Sequence, residues 1–135
     1  MEIILKQIFL LLLLAISLFA EATNSYMTQK LLDSKIPIID VRTPPEWKQT
    51  GLLKGAIPIM FFDQNGQPQI NSFLQKLQKN VDTTKTFAII CHTGARTSVI
   101  APWLSEKLHY KVINILGGMD YATQNLKLKT YPLKK

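Results

Sequence analysis

The chain has one cysteine in 135 residues, Cys91. A single thiol cannot build a disulfide framework, and with no second thiol to resolve its oxidised form it makes a poor redox sensor. No cysteine lies near the N-terminus, which excludes a lipid-anchored form. Arginine is as scarce as lysine is common, two against fourteen. No apolar run reaches the roughly 20 residues that a spanning helix needs. Repeats, low-complexity tracts and linker-like stretches are missing too, so the chain is read as one domain. The lysines are spread along it and no aromatic-basic motif recurs, which argues against a nucleic acid partner.

What is present begins with a leader. Met1–Gln7 carries Lys6 and the amino terminus against Glu2, Ile8–Ala20 is uncharged and rich in leucine, and Ala20-Glu21-Ala22 offers small residues to a signal peptidase. The expectation is a signal peptide over residues 1–22 and a domain over residues 23–135, periplasmic or secreted, with no stable membrane anchor after cleavage. Cleavage removes Glu2, Glu21 and Lys6, leaving 15 basic and 7 acidic residues, a net charge of +8. Such a surface attracts small anions, anionic lipid headgroups or acidic partners. In an oxidising compartment one unpaired thiol either forms unwanted bridges or does chemistry.

Along the domain, helical and strand signals alternate. Ser25 is placed to cap a short helix through Leu31 and Leu32, and Pro37–Val41 reads as a short apolar strand. Thr43-Pro44-Pro45-Glu46 is a capping box with proline at the first helical position, opening a helix through Trp47. Ala56–Ile59 is a second strand, provided that Pro58 sits where no ladder bond is donated. Asp63–Gln67 is a turn, and Ile70, Phe73, Leu74 and Leu77 recur at helical spacing. Phe87–Cys91 is the central strand, Ser98–Leu108 a helix that Pro102 should kink, and Val112–Leu116 a strand broken by Gly117-Gly118 before a last helix around Tyr121. Strands separated by such helices imply parallel pairing and a three-layer α/β domain with helices on both faces. Ligands in these sheets lie beyond the carboxyl ends of the strands, where Asp40, Cys91 and Gly117 all fall.

Cys91 ends its strand and opens the segment Cys91-His92-Thr93-Gly94-Ala95-Arg96-Thr97-Ser98. A glycine-containing loop between a strand and a helix places a thiol among backbone N–H groups, which bind anions and stabilise a thiolate. Both arginines, Arg42 and Arg96, fall in candidate functional segments, where the planar fork of donors is not replaceable by lysine.

Ile39-Asp40-Val41-Arg42 with Glu46-Trp47, then Gly55-Ala56-Ile57, the Cys91–Ser98 segment and Gly117-Gly118-Met119 together resemble the ordered motifs of the rhodanese domain. Small size and a leader make the chain similar to single-domain periplasmic rhodaneses of the phage-shock-protein E type. The resemblance implies a mostly parallel sheet of about five strands and a sulfurtransferase in which Cys91 takes a sulfane sulfur as a persulfide. The donor would be a small anion such as thiosulfate and the acceptor cyanide or a thiol, with no metal or organic cofactor. The alternative is a persulfide carrier serving an exported protein partner. His92, Thr93, Gly94, Ala95, Arg96 and Thr97 are the expected substrate-binding residues, with Arg96 helping to close the loop and to offset anionic charge. Asp40 and Arg42 are expected to support the loop, and Trp47 and Trp103 to pack. His92 either tunes the sulfur or points to solvent. Four residues separate Cys91 from Arg96, where cysteine phosphatases of related architecture place five around a phosphate; the tighter ring favours a single sulfur. The Gly-His pair usual before the second strand is Gly51-Leu52 here, so any role of that histidine is absent. The stretch Met60–Gln69, longer than usual, is expected at the mouth or on a partner surface.

Overall fold

The computed structural model describes residues 1–16 and 21–135. The elements run α1 (Glu2–Ile16), β1 (Thr23–Tyr26), α2 (Gln29–Asp33), β2 (Ile38–Asp40), α3 (Pro44–Thr50), β3 (Leu52–Leu53) and β4 (Ile57–Pro58). They continue with α4 (Ile70–Asn80), β5 (Phe87–Ile90), α5 (Thr97–Leu108), β6 (Val112–Leu116), α6 (Gly118–Asp120), a π-helical turn over Tyr121–Asn125, and β7 (Thr130–Tyr131). The residue Ala20 of the expected cleavage site lies outside the described residues.

Five strands form one sheet in the order β1-β6-β5-β2-β4, every neighbouring pair parallel. The centre is β5, an unbroken apolar run because both of its faces are covered. Its side chains alternate between two clusters. Phe87, Ile89 and, one residue past the strand, Cys91 join Phe73 and Leu77 of α4 and Ile100 and Leu104 of α5. Ala88 and Ile90 face the other way, onto Met27, Met119 and Ala122. This is the expected three-layer α/β fold, with helices on both faces.

Several local expectations are met for visible reasons. The capping box forms: the Thr43 hydroxyl and amide both reach Glu46 Oε1, at 2.9 and 3.3 Å. Ile59 N–H donates to the Asp40 carbonyl at 3.0 Å, so Pro58, one residue earlier on an edge strand, turns its missing donor away from β2. Asp63 Oδ1 accepts from the amides of Asn65 and Gln67, which makes the turn.

Others are corrected. Residues 23–26 form an edge strand on β6 instead of leading into a helix, and Thr28, not Ser25, caps α2 by accepting from Leu31 N–H at 3.0 Å. Ser25 bonds the Tyr26 carbonyl instead. The helix α5 continues past Pro102, which is exposed. Phe61, expected near the mouth, is 4% exposed and packs edge-on against Phe73 and Trp103 in the core. The tail returns as β7, pairing antiparallel with β3 in a separate two-stranded sheet.

Candidate active site

The carboxyl ends of β2, β5 and β6 converge as expected, and each brings one part of the site. From β5 comes Cys91, 1% exposed, with the loop residues 92–96 wrapping its sulfur before α5 begins. Gly94 N–H donates to Cys91 Sγ at 3.2 Å, and Thr97 Oγ1 lies 3.7 Å from the sulfur. The Thr97 hydroxyl donates to the Gly94 carbonyl at 3.3 Å and accepts from the thiol; with a thiolate it can turn its proton onto the sulfur. Among the described residues the N–H groups of His92, Thr93, Ala95 and Arg96 are not taken by backbone carbonyls. They remain available to a sulfur or anion held in the loop. The turn itself needs Gly94, whose φ is +99° and on which a side chain would press against the amide of Gly117.

From β6 comes a clamp. Met119 N–H donates to the Cys91 carbonyl at 2.8 Å and Asp120 N–H to the His92 carbonyl at 3.0 Å. Gly118 lets these backbones meet. A Cβ there would stand 2.5 Å from the Cys91 carbonyl oxygen and collide with that of His92 as well. The sequence marked Gly117-Gly118 as a strand breaker; its deeper use is this close approach of two backbones.

From β2 comes the support. Arg42, 1% exposed, places Nε and one terminal nitrogen on the Asp40 carboxylate, and its terminal nitrogens also reach Thr50 Oγ1 at 2.7 Å and the Gly51 carbonyl at 2.8 Å. Asp40 also accepts from Trp47 Nε1 at 3.1 Å. One buried ion pair therefore binds the middle and the C-terminal end of α3 to the tip of β2. The helix α3 then presents Glu46, and Glu46 takes both terminal nitrogens of Arg96 at 2.7 and 2.8 Å. The hydrogen bonds from Arg96, reinforced by those from Thr43, hold the Glu46 carboxyl near a pKa of about 2 against the opposing effect of burial. The Arg96 guanidinium is pushed up in turn, chiefly by Glu46, and it also feels the charge of Cys91.

The sequence assigns Glu46 to the cap of α3 and Arg96 to closing the loop and offsetting anionic charge, without pairing them. The structure joins them across fifty positions in the chain and commits the terminal nitrogens of Arg96 to Glu46. His92, half exposed, turns to Asp120 with Nε2 3.0 Å from Oδ1. Thr93 and Ala95 are exposed on the rim. Beside the loop, between α3 and α6, lies a pocket of about 110 Å³ bordered by Glu46, Gln49, His92, Met119, Asp120 and Thr123. No group of histidine, cysteine, aspartate and glutamate fit to hold a metal ion occurs among the described residues.

A parallel α/β sheet whose central strand delivers a lone cysteine into an amide-lined loop defines a domain built around a cysteine nucleophile and an anion cradle. The sequence matches the family of the rhodanese-like domain over residues 23–124, and the chain belongs to that family. It is 26% identical over 107 residues to the uncharacterized protein RP600 of Rickettsia prowazekii (strain Madrid E), covering 77% of this chain and 85% of that protein. Among solved structures it is similar to the reduced CoADR-RHD of Bacillus anthracis, with 29% identity and a TM-score of 0.61, over 84% of this chain and 18% of that one. SSP1007 of Staphylococcus saprophyticus subsp. saprophyticus shares 28% identity and a TM-score of 0.55, over 74% of this chain and 90% of that one. Rv0390 of M. tuberculosis, at 21% identity and a TM-score of 0.60, covers 73% of this chain and 80% of its own, and shares the fold.

Proposed function

We propose that this domain is an exported sulfurtransferase that moves a sulfane sulfur through a persulfide on Cys91. The observation that carries the reading is a buried sulfur at the strand end, touched by Gly94 N–H inside a loop that Glu46 and Arg96 latch shut. The Cys91 thiolate attacks the outer sulfur of thiosulfate or a similar donor. A sulfur–sulfur bond forms to Cys91 as the donor's own bond breaks, and its electron pair leaves with sulfite. Loop amides and the Thr97 hydroxyl then surround the terminal sulfur and hold its negative charge. Cyanide or a thiolate next attacks that terminal sulfur and carries it off, which restores the Cys91 thiolate. No step requires a metal or an organic cofactor. A residue only 1% exposed favours slim donors over bulky ones. The apolar helix α1 ahead of the domain supports export.

Intact mass after brief exposure to thiosulfate, compared with Cys91→Ser treated alike, tests this. The expected result is a gain of one sulfur atom in the Cys91 protein alone, removed by cyanide. A folded protein with a reactive thiol that gains nothing from thiosulfate would remove that donor. Repeated turnover of small donors and acceptors marks an enzyme, whereas a single loading released only to a partner protein marks a carrier.

A further inference from the structure

The end of the sheet opposite Cys91 carries a second organised feature. In a parallel sheet all strands begin at one pole, and the crossover helices that precede them end there. Lys35 lies three residues before β2, Lys54 three before β4, Lys85 two before β5 and Lys111 one before β6. Lys79 and Lys107 stand in the last turns of α4 and α5, which deliver the chain to the same pole. All six are exposed. Cross-strand bonds at this edge, Phe87 N–H to the Lys111 carbonyl and Ala88 N–H to the Pro37 carbonyl, confirm that these strand entries sit side by side. Lys35 and Lys54 border one open cleft of about 410 Å³. Asp33, Asp82 and Glu106 lie in the same connections and Glu21 stands two residues before β1 at this pole; among the described residues none of the four is within ion-pair distance of the six lysines. Asp82 feels the charge of Lys85.

A second observation indicates what this pole faces. The strand β1 is parallel to the others, so its first residue, Thr23, opens at the lysine pole, opposite Ile113. The apolar helix α1, with Ile4, Ile8, Phe9 and Leu11 exposed, therefore joins the domain at this end. Only residues 17–22 separate α1 from β1, and six residues reach at most about 20 Å. Any bilayer that receives α1 lies within that distance of the six lysines.

We propose that the lysine pole is a docking face for a bilayer surface with anionic headgroups, and that it directs Cys91 away from the membrane. Docking needs no chemistry at Cys91 and does not depend on which sulfur donor is used. It is electrostatic and reversible, and persists in weakened form once α1 is removed, because the lysines belong to the folded domain. An acidic protein would also meet six lysines, but α1 leaves from this pole and is suited to lipid.

The test is co-sedimentation of the full chain with vesicles of phosphatidylcholine alone or containing one-third phosphatidylglycerol, at low and high salt. α1 contributes to both lipid mixtures, and the charge it carries through Lys6 and the amino terminus against Glu2 is the same in parent and variant, so the loss on reversal reads the lysines of the pole. Each lysine near an anionic surface contributes about fivefold in partitioning. The expected result is a preference of at least tenfold for the anionic vesicles, suppressed by salt and abolished by the combined substitutions Lys35→Glu, Lys54→Glu, Lys85→Glu and Lys111→Glu. Reversal of Lys48, on the helix α3 whose last residues Arg42 holds at the tip of β2, should leave most of the preference intact. Unchanged thermal unfolding and unchanged thiosulfate loading at Cys91 verify that the fourfold variant is folded. A preference that survives the fourfold reversal, or no preference at all, overturns the proposal. Retention on immobilised polyglutamate without any preference for anionic vesicles overturns it too and assigns an acidic protein partner.

Discussion

At the Cys91 end of the sheet both arginines and His92 meet a carboxylate: Arg42 meets Asp40, Arg96 meets Glu46, and His92 meets Asp120. At the other end six lysines stand exposed, without an ion-pair partner among the described residues. The chain thus uses its two arginines where a planar fork must be held in one orientation, and lysine where a solvated charge suffices. A net charge of +7 hides this division. The anion-binding character of the site rests on backbone amides, while the long-range positive field belongs mostly to the opposite pole. Charge at the first pole is structural; charge at the second is available to a partner.

The sharpest way to break that contrast is to remove one carboxylate from the first pole. Asp40→Asn leaves the Arg42 guanidinium buried without its counter-charge, and a buried pair broken on one side costs about 3–5 kcal/mol. Urea unfolding should show a midpoint shift of that order, together with a loosened α3 and reduced sulfur loading at Cys91. A cost below 1 kcal/mol, the range of a surface charge, would erase the distinction between the poles. Next in size is Gly118→Ala. Its φ of +58° and the two carbonyls that a Cβ would strike make the change worth about 2–4 kcal/mol. Because those carbonyls belong to Cys91 and His92, loading should fall further than stability alone explains. The corresponding change at Gly55, where nothing lies in the way of a Cβ, should cost less.

The latch gives an intermediate effect with a definite pH signature. Glu46 is held near a pKa of about 2 in the folded chain, below its ordinary 4.5. A depressed carboxyl contributes stability that is complete above its unfolded pKa and is lost as pH falls through the folded one. The contribution is therefore present above about pH 4.5 and fades toward pH 2. The pair is about one-quarter exposed, so solvent screening reduces it to about 1–2 kcal/mol at neutral pH. Glu46→Gln should lower stability by that amount at pH 7 and converge with the parent chain near pH 2. Parallel curves from pH 7 to pH 2 would show that the latch carries no linked proton.

Much of this was legible in the sequence because it is local. The apolar runs at Ile38, Phe87 and Val112 are strands since each is buried on both faces, and the capping box at Thr43 forms within one helical turn. The strand β1 was hidden because Thr23–Tyr26 has little apolar alternation; backbone pairing with β6 makes it a strand. The strands β3 and β7 are two residues each and exist only through one another. Nothing near Glu46 announces Arg96, since a pair fifty residues apart has no periodicity. The lysine pole is an intermediate case. Each of Lys35, Lys54, Lys85 and Lys111 precedes an apolar run by one to three residues, a regularity visible in the chain but without spatial meaning until the strands are known to be parallel.

The smallest effect expected is the most informative about the second pole. Lys54→Gln and Lys111→Gln remove exposed charges with no ion-pair partner, so neither should shift the unfolding midpoint by more than about 0.5 kcal/mol. The sign should be slightly stabilising at low ionic strength, because like charges repel in the folded chain more than in the expanded one, and the gain should vanish as salt shortens the Debye length to about 3 Å at 1 M. Lys85→Gln should depart from this pattern. Asp82, held below the usual carboxyl range first by the Thr84 hydroxyl and amide, is also favoured by the charge of Lys85. Its removal therefore withdraws a favourable interaction along with the repulsive ones, and denaturation curves for the three variants across a salt series separate the cases. If Lys54 and Lys111 instead prove as costly as Asp40, the lysines are structural after all, and a pole kept charged for a partner is no longer the reason for them.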